Sequence, residues 1–218
     1  VAGKPLSLPQ TIVPTEDQFQ LCSTIDANND GRSFMYNHDN NGDETFCYIY
    51  AAGTPADDYA VLPCMNFDNA SAIYRVSLDA ACSDDMAPEA FEVYVGTAPT
   101  KEAMTQCVIE RTVVPHTSYA RYDALFRVPA AGNYYVAVRA VSDPDRYYLF
   151  VRNVTVEKTD IAPGAPAAAT EIQATPMAQG QLKATVEFKM PATTIDGNTI
   201  AASENLKATV STTAGSAD

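Results

Sequence analysis

The chain alternates apolar and polar residues in short runs, which is the period of a β-strand rather than that of a helix. Each run ends at a cluster of Gly, Pro, Asn or Asp, residue types that are typical of turns. Only Thr100–Gln106 has a helical pattern, with Thr100 as the expected N-cap. The predicted strands are Phe19–Ile25, Ser33–Asn37, Thr45–Tyr50, Tyr59–Pro63, Ile73–Ala80, Phe91–Val95, Cys107–Val114, Tyr122–Val128, Tyr134–Val141 and Tyr147–Glu157. This pattern predicts an all-β fold, most simply a jelly-roll-like β-sandwich.

A segment rich in Pro, Ala and Gly interrupts the alternation at residues 159–169 and predicts a linker. The first domain is therefore expected to span residues 1–158, and a second β-domain to begin at residue 170. Three further alternating runs lie in residues 170–218, namely Thr170–Thr175, Leu182–Met190 and Asn205–Ser211. An immunoglobulin-like sandwich needs about seven strands. The last segment therefore predicts a partial immunoglobulin- or fibronectin III-like domain, or else strands that extend the first domain.

The composition indicates a globular protein with an acidic surface in its first part. Of the 218 residues, 46% are hydrophobic and 19% are charged, which excludes a disordered chain. The net charge of -13 disfavours nucleic-acid partners, and no apolar run reaches the ~18 residues of a membrane span. Residues 1–92 hold 15 acidic and 3 basic residues, so nearly the whole acidic excess lies there. Acidic loops in this region require either solvent or a cation.

The five cysteines are expected to be mostly small buried residues, because none forms a C-x-x-C pair typical of metal or redox sites. An odd number leaves at least one thiol free. A disulfide between Cys64 and Cys82, or between Cys22 and Cys47, stays open as an alternative.

The sharpest local motif is the segment from Asp26 to Gly31, D-A-N-N-D-G, which matches the first half of a calcium-binding loop. Asn37 stands where a helix–loop–helix site carries its bidentate Glu, and predicted strands flank the loop, so that type of site is excluded. Two interpretations remain. The loop holds a single calcium ion with ligands from elsewhere, or it is a turn in which Asp and Asn cap their own backbone.

Catalytic motifs are absent from the sequence: it has no G-x-S-x-G elbow, no H-E-x-x-H and no Gly-rich phosphate loop. We therefore predict that the chain is not an enzyme. Tyr134-Tyr135 and Tyr147-Tyr148 are each expected to place one ring inward and one outward on a strand. The outward rings, taken to be Tyr135 and Tyr148, are candidates for stacking on sugars or protein surfaces, or are simply half-buried strand aromatics.

Several segments together resemble a known family. These are the aspartate-rich opening I-D-A-N-N-D-G-R-S-F at residues 25–34, A-D-D-Y-A-V-L-P at residues 56–63, similar to the family's D-D-W-L-I-T-P, and E-A-F-E-V-Y-V-G-T-A-P-T at residues 89–100. The strands at Gly132–Ala140 and Tyr147–Val156 complete the order. The segment of residues 15–158 thus resembles the choice-of-anchor J or cleaved-adhesin domain, a MAM-like jelly roll of secreted and surface proteins of Gram-negative bacteria. Residues 169–190 are similar to the start of a fibronectin type III domain.

The resemblance implies a calcium ion bound by Asp26, Asn28 and Asp30, with Glu92 or Asp57 as a carboxylate from a neighbouring strand. It also implies an extracytoplasmic module, secreted or attached to the outer membrane. Such a module acts in adhesion to a host or bacterial surface protein or glycan, alongside neighbouring domains of its chain. The alternative is a carbohydrate-binding or accessory domain appended to a secreted peptidase or glycosidase.

The sequence departs from the family pattern at three places. Phe34 and Tyr59 stand where the family usually has Trp, a change that should leave the core intact. The closing strand carries Arg152-Asn153 where the family has an acidic pair.

Overall fold

The protein was analysed as a computed structural model that describes residues 4–162, 164–176, 184–195 and 199–200. The chain forms two compact units, residues 1–160 and residues 161–218. The strands are β1 (Leu6–Ser7), β2 (Gln10–Ile12), β3 (Ser23–Asp26), β4 (Phe34–His38), β5 (Glu44–Ile49), β6 (Asp58–Val61), β7 (Met65–Phe67), β8 (Tyr74–Cys82), β9 (Glu89–Gly96), β10 (Gln106–Val114), β11 (Ala120–Phe126), β12 (Gly132–Ala140), β13 (Tyr148–Lys158), β14 (Thr170–Pro176) and β15 (Ala184–Lys189). One short helix, α1 (Glu16–Phe19), precedes β3, and a 3-10 turn covers Lys101–Ala103.

Two sheets form the first unit, which has the predicted jelly-roll-like β-sandwich fold. The first sheet has the order β1-β7-β12-β6-β3, with β9 beside β12 and β10 beside β9. The second sheet has the order β11-β8-β13-β5-β4, with β2 beside the end of β13. All pairs are antiparallel except β1 with β7, so the alternation of the sequence directs one face of each sheet inward.

Aromatic side chains join the two sheets in the core. Phe67 of the first sheet meets Tyr74 of the second edge to face, with ring centroids 4.7 Å apart. Phe91 of the first sheet meets Tyr122 of the second in the same way at 5.2 Å. Each such pair adds about 0.5–1.5 kcal/mol to the energy of apolar burial. The core therefore fixes the spacing of the sheets that carry the loops described below.

Local structure corrects two predicted elements. The predicted strand Phe19–Ile25 is confirmed only from Ser23 onward, in β3. Its first residue, Phe19, instead ends helix α1, which Thr15 caps by accepting a hydrogen bond from the N–H of Gln18. The predicted helix Thr100–Gln106 shrinks to the 3-10 turn, and the Thr100 side chain makes no capping bond. Strands β1, β2 and β7 are only two or three residues long, too short for their alternation to be recognised.

All five cysteines are free thiols, so neither of the two alternative disulfides is formed. Only Cys47 and Cys82 are buried, and the expectation that most are buried is therefore wrong. Cys107 is exposed at the start of β10, where the strand register shifts between Cys107 and Ile109. A register shift of this kind interrupts the regular inward and outward alternation of a strand.

The second unit contains the antiparallel pair of β14 and β15, with Thr170 opposite Lys189 and Thr175 opposite Thr185. β14 agrees with the predicted strand at residues 170–175, and β15 lies within the predicted run at residues 182–190. The predicted strand Asn205–Ser211 lies outside the described residues. Ile172 and Val186 are 64% and 42% exposed. Along the ranges that the structure describes, no helix is long and apolar enough to cross a membrane.

Candidate functional site

The loop after β3 is folded around its own acidic side chains. The backbone N–H groups of Asp30 and Gly31 donate to the two carboxylate oxygens of Asp26, at 3.2 Å and 2.9 Å. The N–H of Asp30 also lies 3.2 Å from Asn28 Oδ1. Asn29 and Gly31 adopt φ values of 58° and 80°, the left-handed region that Asn and Gly tolerate. The predicted Asx turns are therefore present, and they fix the positions of the loop carboxylates.

Asp58 joins these carboxylates from the neighbouring strand. It lies directly opposite Asp26 in the antiparallel pair of β3 and β6. Carboxylate oxygens of Asp26, Asp30 and Asp58 lie within 4.8 Å of one another. Asp58 is fully buried, and its Oδ1 has no hydrogen-bond partner among the described residues. Because an unpaired buried oxygen of this kind is costly, the cluster calls for a proton or a cation.

The electrostatics of the cluster follow from its burial. Burial raises the pKa of Asp58 to about 7, and the charges of Asp30 and Asp26 act in the same direction. A divalent cation would replace the proton and offset the repulsion between the three carboxylates. The three carboxylates offer oxygen atoms, the ligand type that calcium and magnesium prefer, and Asn28 is hydrogen-bonded to Asp30 beside them. The residues present thus fit a hard divalent cation.

Asp57 and Glu92 lie elsewhere, which corrects the expectation that one of them completes the calcium ligands. The Arg139 guanidinium donates to Asp57 Oδ1 at 2.8 Å and to Glu92 Oε2 at 2.9 Å. Lys101 Nζ lies 2.8 Å from the other Asp57 oxygen. Burial raises the pKa of Asp57, but the hydrogen bonds from Lys101 and Arg139 outweigh it and the net pKa is lowered. Asp57 lies just before β6 begins at Asp58, and its two oxygens are already bonded to Arg139 and Lys101.

The Arg152-Asn153 pair lies on the second sheet rather than beside Asp58. The Arg152 guanidinium carbon lies 3.6 Å from the centre of the Tyr119 ring. Asn153 Nδ2 donates to Asp79 Oδ2 at 2.8 Å. These residues therefore have their own partners in the fold, and neither belongs to the carboxylate cluster of Asp58.

A second buried carboxylate, Glu89, was missed by the sequence analysis. It is fully buried at the start of β9, and Ser142 Oγ donates to its Oε2. Its Oε1 has no partner among the described residues. Burial raises the pKa of Glu89 to about 7. Glu89 is the first residue of the motif at residues 89–100, but its burial could not be predicted from that motif, because it depends on where β9 meets Ser142, after β12.

The two candidate tyrosines occupy different surroundings. Tyr135, on β12, is half-buried and lines a cleft of about 430 Å³ beside Leu62 and Cys64. Tyr148, on β13, is 36% exposed and lies nearly parallel to Phe150, with ring centroids 6.2 Å apart. Tyr147 is 44% exposed, so the expected inward ring of the Tyr147-Tyr148 pair is wrong. Tyr147 precedes the first residue of β13, where alternation no longer directs a side chain into the core.

The fold of the first unit is that of adhesin and carbohydrate-binding modules of known structure. No family model matches the sequence, and no curated protein matches it. The similarity was therefore found by comparison with solved structures alone. Those likenesses have sequence identities well below a quarter, and they define the fold without defining the activity.

A cleaved adhesin domain is among the similar structures, namely the K1 domain of Lys-gingipain from Porphyromonas gingivalis W83. It matches with a TM-score of 0.53 and 18% identity, over 70% of this chain and 98% of that domain. The C-terminal family 22 carbohydrate binding module of Clostridium thermocellum Xyn10B matches with a TM-score of 0.51 and 13% identity, over 69% of this chain and 92% of that one. The CBM22-1 xylan-binding domain of Paenibacillus barcinonensis Xyn10C matches with a TM-score of 0.50 and 9% identity, over 73% of this chain and 100% of that domain.

Proposed function

We propose that the first unit is a non-catalytic, extracytoplasmic binding module whose acidic loop is stabilised by calcium. The single observation that carries the calcium assignment is Asp58, a fully buried carboxylate with an unpartnered oxygen that faces Asp26 and Asp30. Asp26, Asn28, Asp30 and Asp58 would hold the ion. A bound ion would tie the loop after β3 to strand β6 and so stiffen one end of the sandwich.

A binding role is supported by the shared fold with adhesin and carbohydrate-binding modules. The ligand would be a surface protein or a glycan, and the module would work beside other domains of its chain. The strand pair of β14 and β15 fits the start of a fibronectin III-like domain, which would be one such neighbour. The alternative is an accessory domain attached to a secreted peptidase or glycosidase. For that alternative, the cleft around Tyr135 favours a carbohydrate as the ligand.

Thermal unfolding with calcium or with a chelator tests the proposal. At a free calcium concentration about 100-fold above Kd, a bound ion stabilises the folded state by about 2.7 kcal/mol. For a domain of this size that corresponds to a rise in Tm on the order of 5–10 °C. Asp58→Asn should abolish most of this rise, because it removes the buried charge that faces the ion.

Asp43→Asn is the matched control, since it removes the same charge from an exposed turn and should leave the calcium effect intact. A Tm that is identical in calcium and in chelator would refute the calcium assignment. A calcium effect that survives Asp58→Asn unchanged would refute the role given to Asp58.

A further inference from the structure

The edge of the first sheet is broken beside Tyr135. β1 pairs with β7 at Met65 and Asn66, while β3 pairs with β6 up to Val61. No strand among the described residues pairs with residues 62 and 63 on that side, whereas the Cys64 carbonyl oxygen still accepts from the N–H of Leu6 in β1 at 2.8 Å. Pro63 lies in this gap and has no backbone N–H to donate to a further strand. The interruption leaves the cleft of about 430 Å³ between the two edge strands.

The lining of the cleft combines apolar and polar residues. Leu21 is 56% exposed and lies beside Pro63 and Pro99, while Leu62 also lines the cleft but is only 2% exposed and belongs to the core. Tyr135 contributes a half-buried aromatic ring from β12. The volume falls within the range of about 300–1,000 Å³ that is usual for sites of small ligands.

The polar groups of the cleft are an amide, a hydroxyl and an ammonium group, supplied by Gln20, Ser23 and Lys4. No residue that lines the cleft is acidic, although the whole chain has 27 acidic and 14 basic residues. Within the described part of the chain, Lys4 makes no ion pair. Lys4 is therefore the one charged residue in the lining of the cleft, and its positive charge suits a ligand with a carboxylate.

The geometry favours a sugar over a peptide strand. A peptide that adds to a sheet edge is held by a continuous ladder of main-chain hydrogen bonds. Here that ladder is interrupted at Pro63, and the flanking strands β1 and β3 are only two and four residues long. A sugar needs no such ladder, because its hydroxyls bond to amide and hydroxyl side chains and its C–H face packs on an aromatic ring.

We propose that this cleft binds a short oligosaccharide that contains an acidic sugar, with the carboxylate at Lys4 and a sugar face on Tyr135. The proposal rests on the proposed function as a binding module and names the ligand class of that module. Tyr148 has no part in this site.

Binding to the full chain is measured by saturation-transfer NMR and isothermal titration calorimetry. The probes are matched oligosaccharides of equal length, one containing glucuronic acid and one containing glucose in its place. The acidic probe is expected to bind more tightly than the neutral one. Tyr135→Ala should weaken both by about tenfold, through loss of the aromatic contact. Lys4→Gln should weaken only the acidic probe, on the order of fivefold, and so remove the difference.

Tyr148→Ala is the control and should bind both probes as the parent protein does. The Tm of each variant is measured alongside, since Lys4 is exposed and Tyr135 half-buried, and neither change should unfold the protein. Equal affinity for the two probes, or loss of binding in Tyr148→Ala instead of Tyr135→Ala, would overturn the proposal. Absence of binding to either probe, or binding of extended peptides in the cleft, would also overturn it. Those outcomes leave calcium stabilisation and a protein-binding role standing, so the two failures are distinguishable.

Discussion

Replacement of Glu89 by Gln should change how the stability of the protein depends on pH. Glu89 is fully buried, and its pKa is raised from an ordinary value of 4.5 to about 7 by burial. The folded protein therefore holds this proton more tightly than the unfolded chain does. The contribution of Glu89 to stability is fully present below the unfolded pKa, is lost as the pH rises from 4.5 to about 7, and does not change further above that window. A pKa raised from 4.5 to about 7 corresponds to a loss on the order of 3 kcal/mol across that window.

Glu89→Gln removes the titration while keeping an oxygen that accepts from Ser142 Oγ. The new amide nitrogen lowers the free energy of unfolding by an amount that is the same at every pH. The free energy of unfolding of the variant should therefore lose about 3 kcal/mol less than that of the parent protein between the two ends of the window.

Urea denaturation at a series of pH values, in chelator, measures this difference. Asp58 also has a raised pKa, but its titration is common to both proteins and cancels when their profiles are subtracted. Glu110→Gln changes an exposed side chain and serves as the control. If the profiles of the parent and of Glu89→Gln have the same slope, Glu89 is not the buried acid that the structure describes.

Two further pairs of variants test the packing and the ion pairs of the first sheet. In Gly96→Ala, the new Cβ would lie 2.3 Å from the carbonyl oxygen of Ala103, so we expect a loss of about 2–4 kcal/mol. Gly132→Ala, whose Cβ would meet its nearest atom at 3.8 Å, should change stability by less than ~1 kcal/mol in the same urea assay, and equal effects would contradict the reasoning. Arg139→Ala strands two partly buried carboxylates and should lower stability by about 1–3 kcal/mol. Arg111→Ala breaks an exposed ion pair and should change it by about 0.5 kcal/mol or less, so a similar loss in both would contradict the assigned burial.

The sequence predicted most strands of the sandwich because long strands with one buried face repeat an apolar residue at every second position. The strand prediction failed where residues outside a strand show the same spacing, and where a strand is too short to show it. Phe19, Leu21 and Ile25 lie at odd positions and suggest a single strand, yet Thr15 caps a helix that ends at Phe19. Strand β7 has only three residues, so its pattern is too short to stand out.

The part of the candidate site that is close in sequence could be predicted, and the part contributed by distant residues could not. The loop from Asp26 to Gly31 was found because its ligands are close in sequence and the spacing itself carries the signal. Asp58, the carboxylate that joins this loop from β6, was not predicted. Whether Asp57 or Asp58 lies opposite Asp26 depends on the register of β3 and β6, which the sequence does not reveal. Arg139, which binds Asp57, comes from a strand far along the chain. No spacing rule connects the two.

The outer strands of both sheets carry charged side chains. β10 pairs only with β9 and exposes Glu110 and Arg111, while β11 pairs only with β8 and exposes Arg121 and Asp123. Charged residues on an edge strand oppose the addition of a strand from another molecule, because their charges would be brought close to those of the added strand or removed from water. The exposed charges at these two edges should thus disfavour edge-to-edge association where many copies of the protein are crowded together.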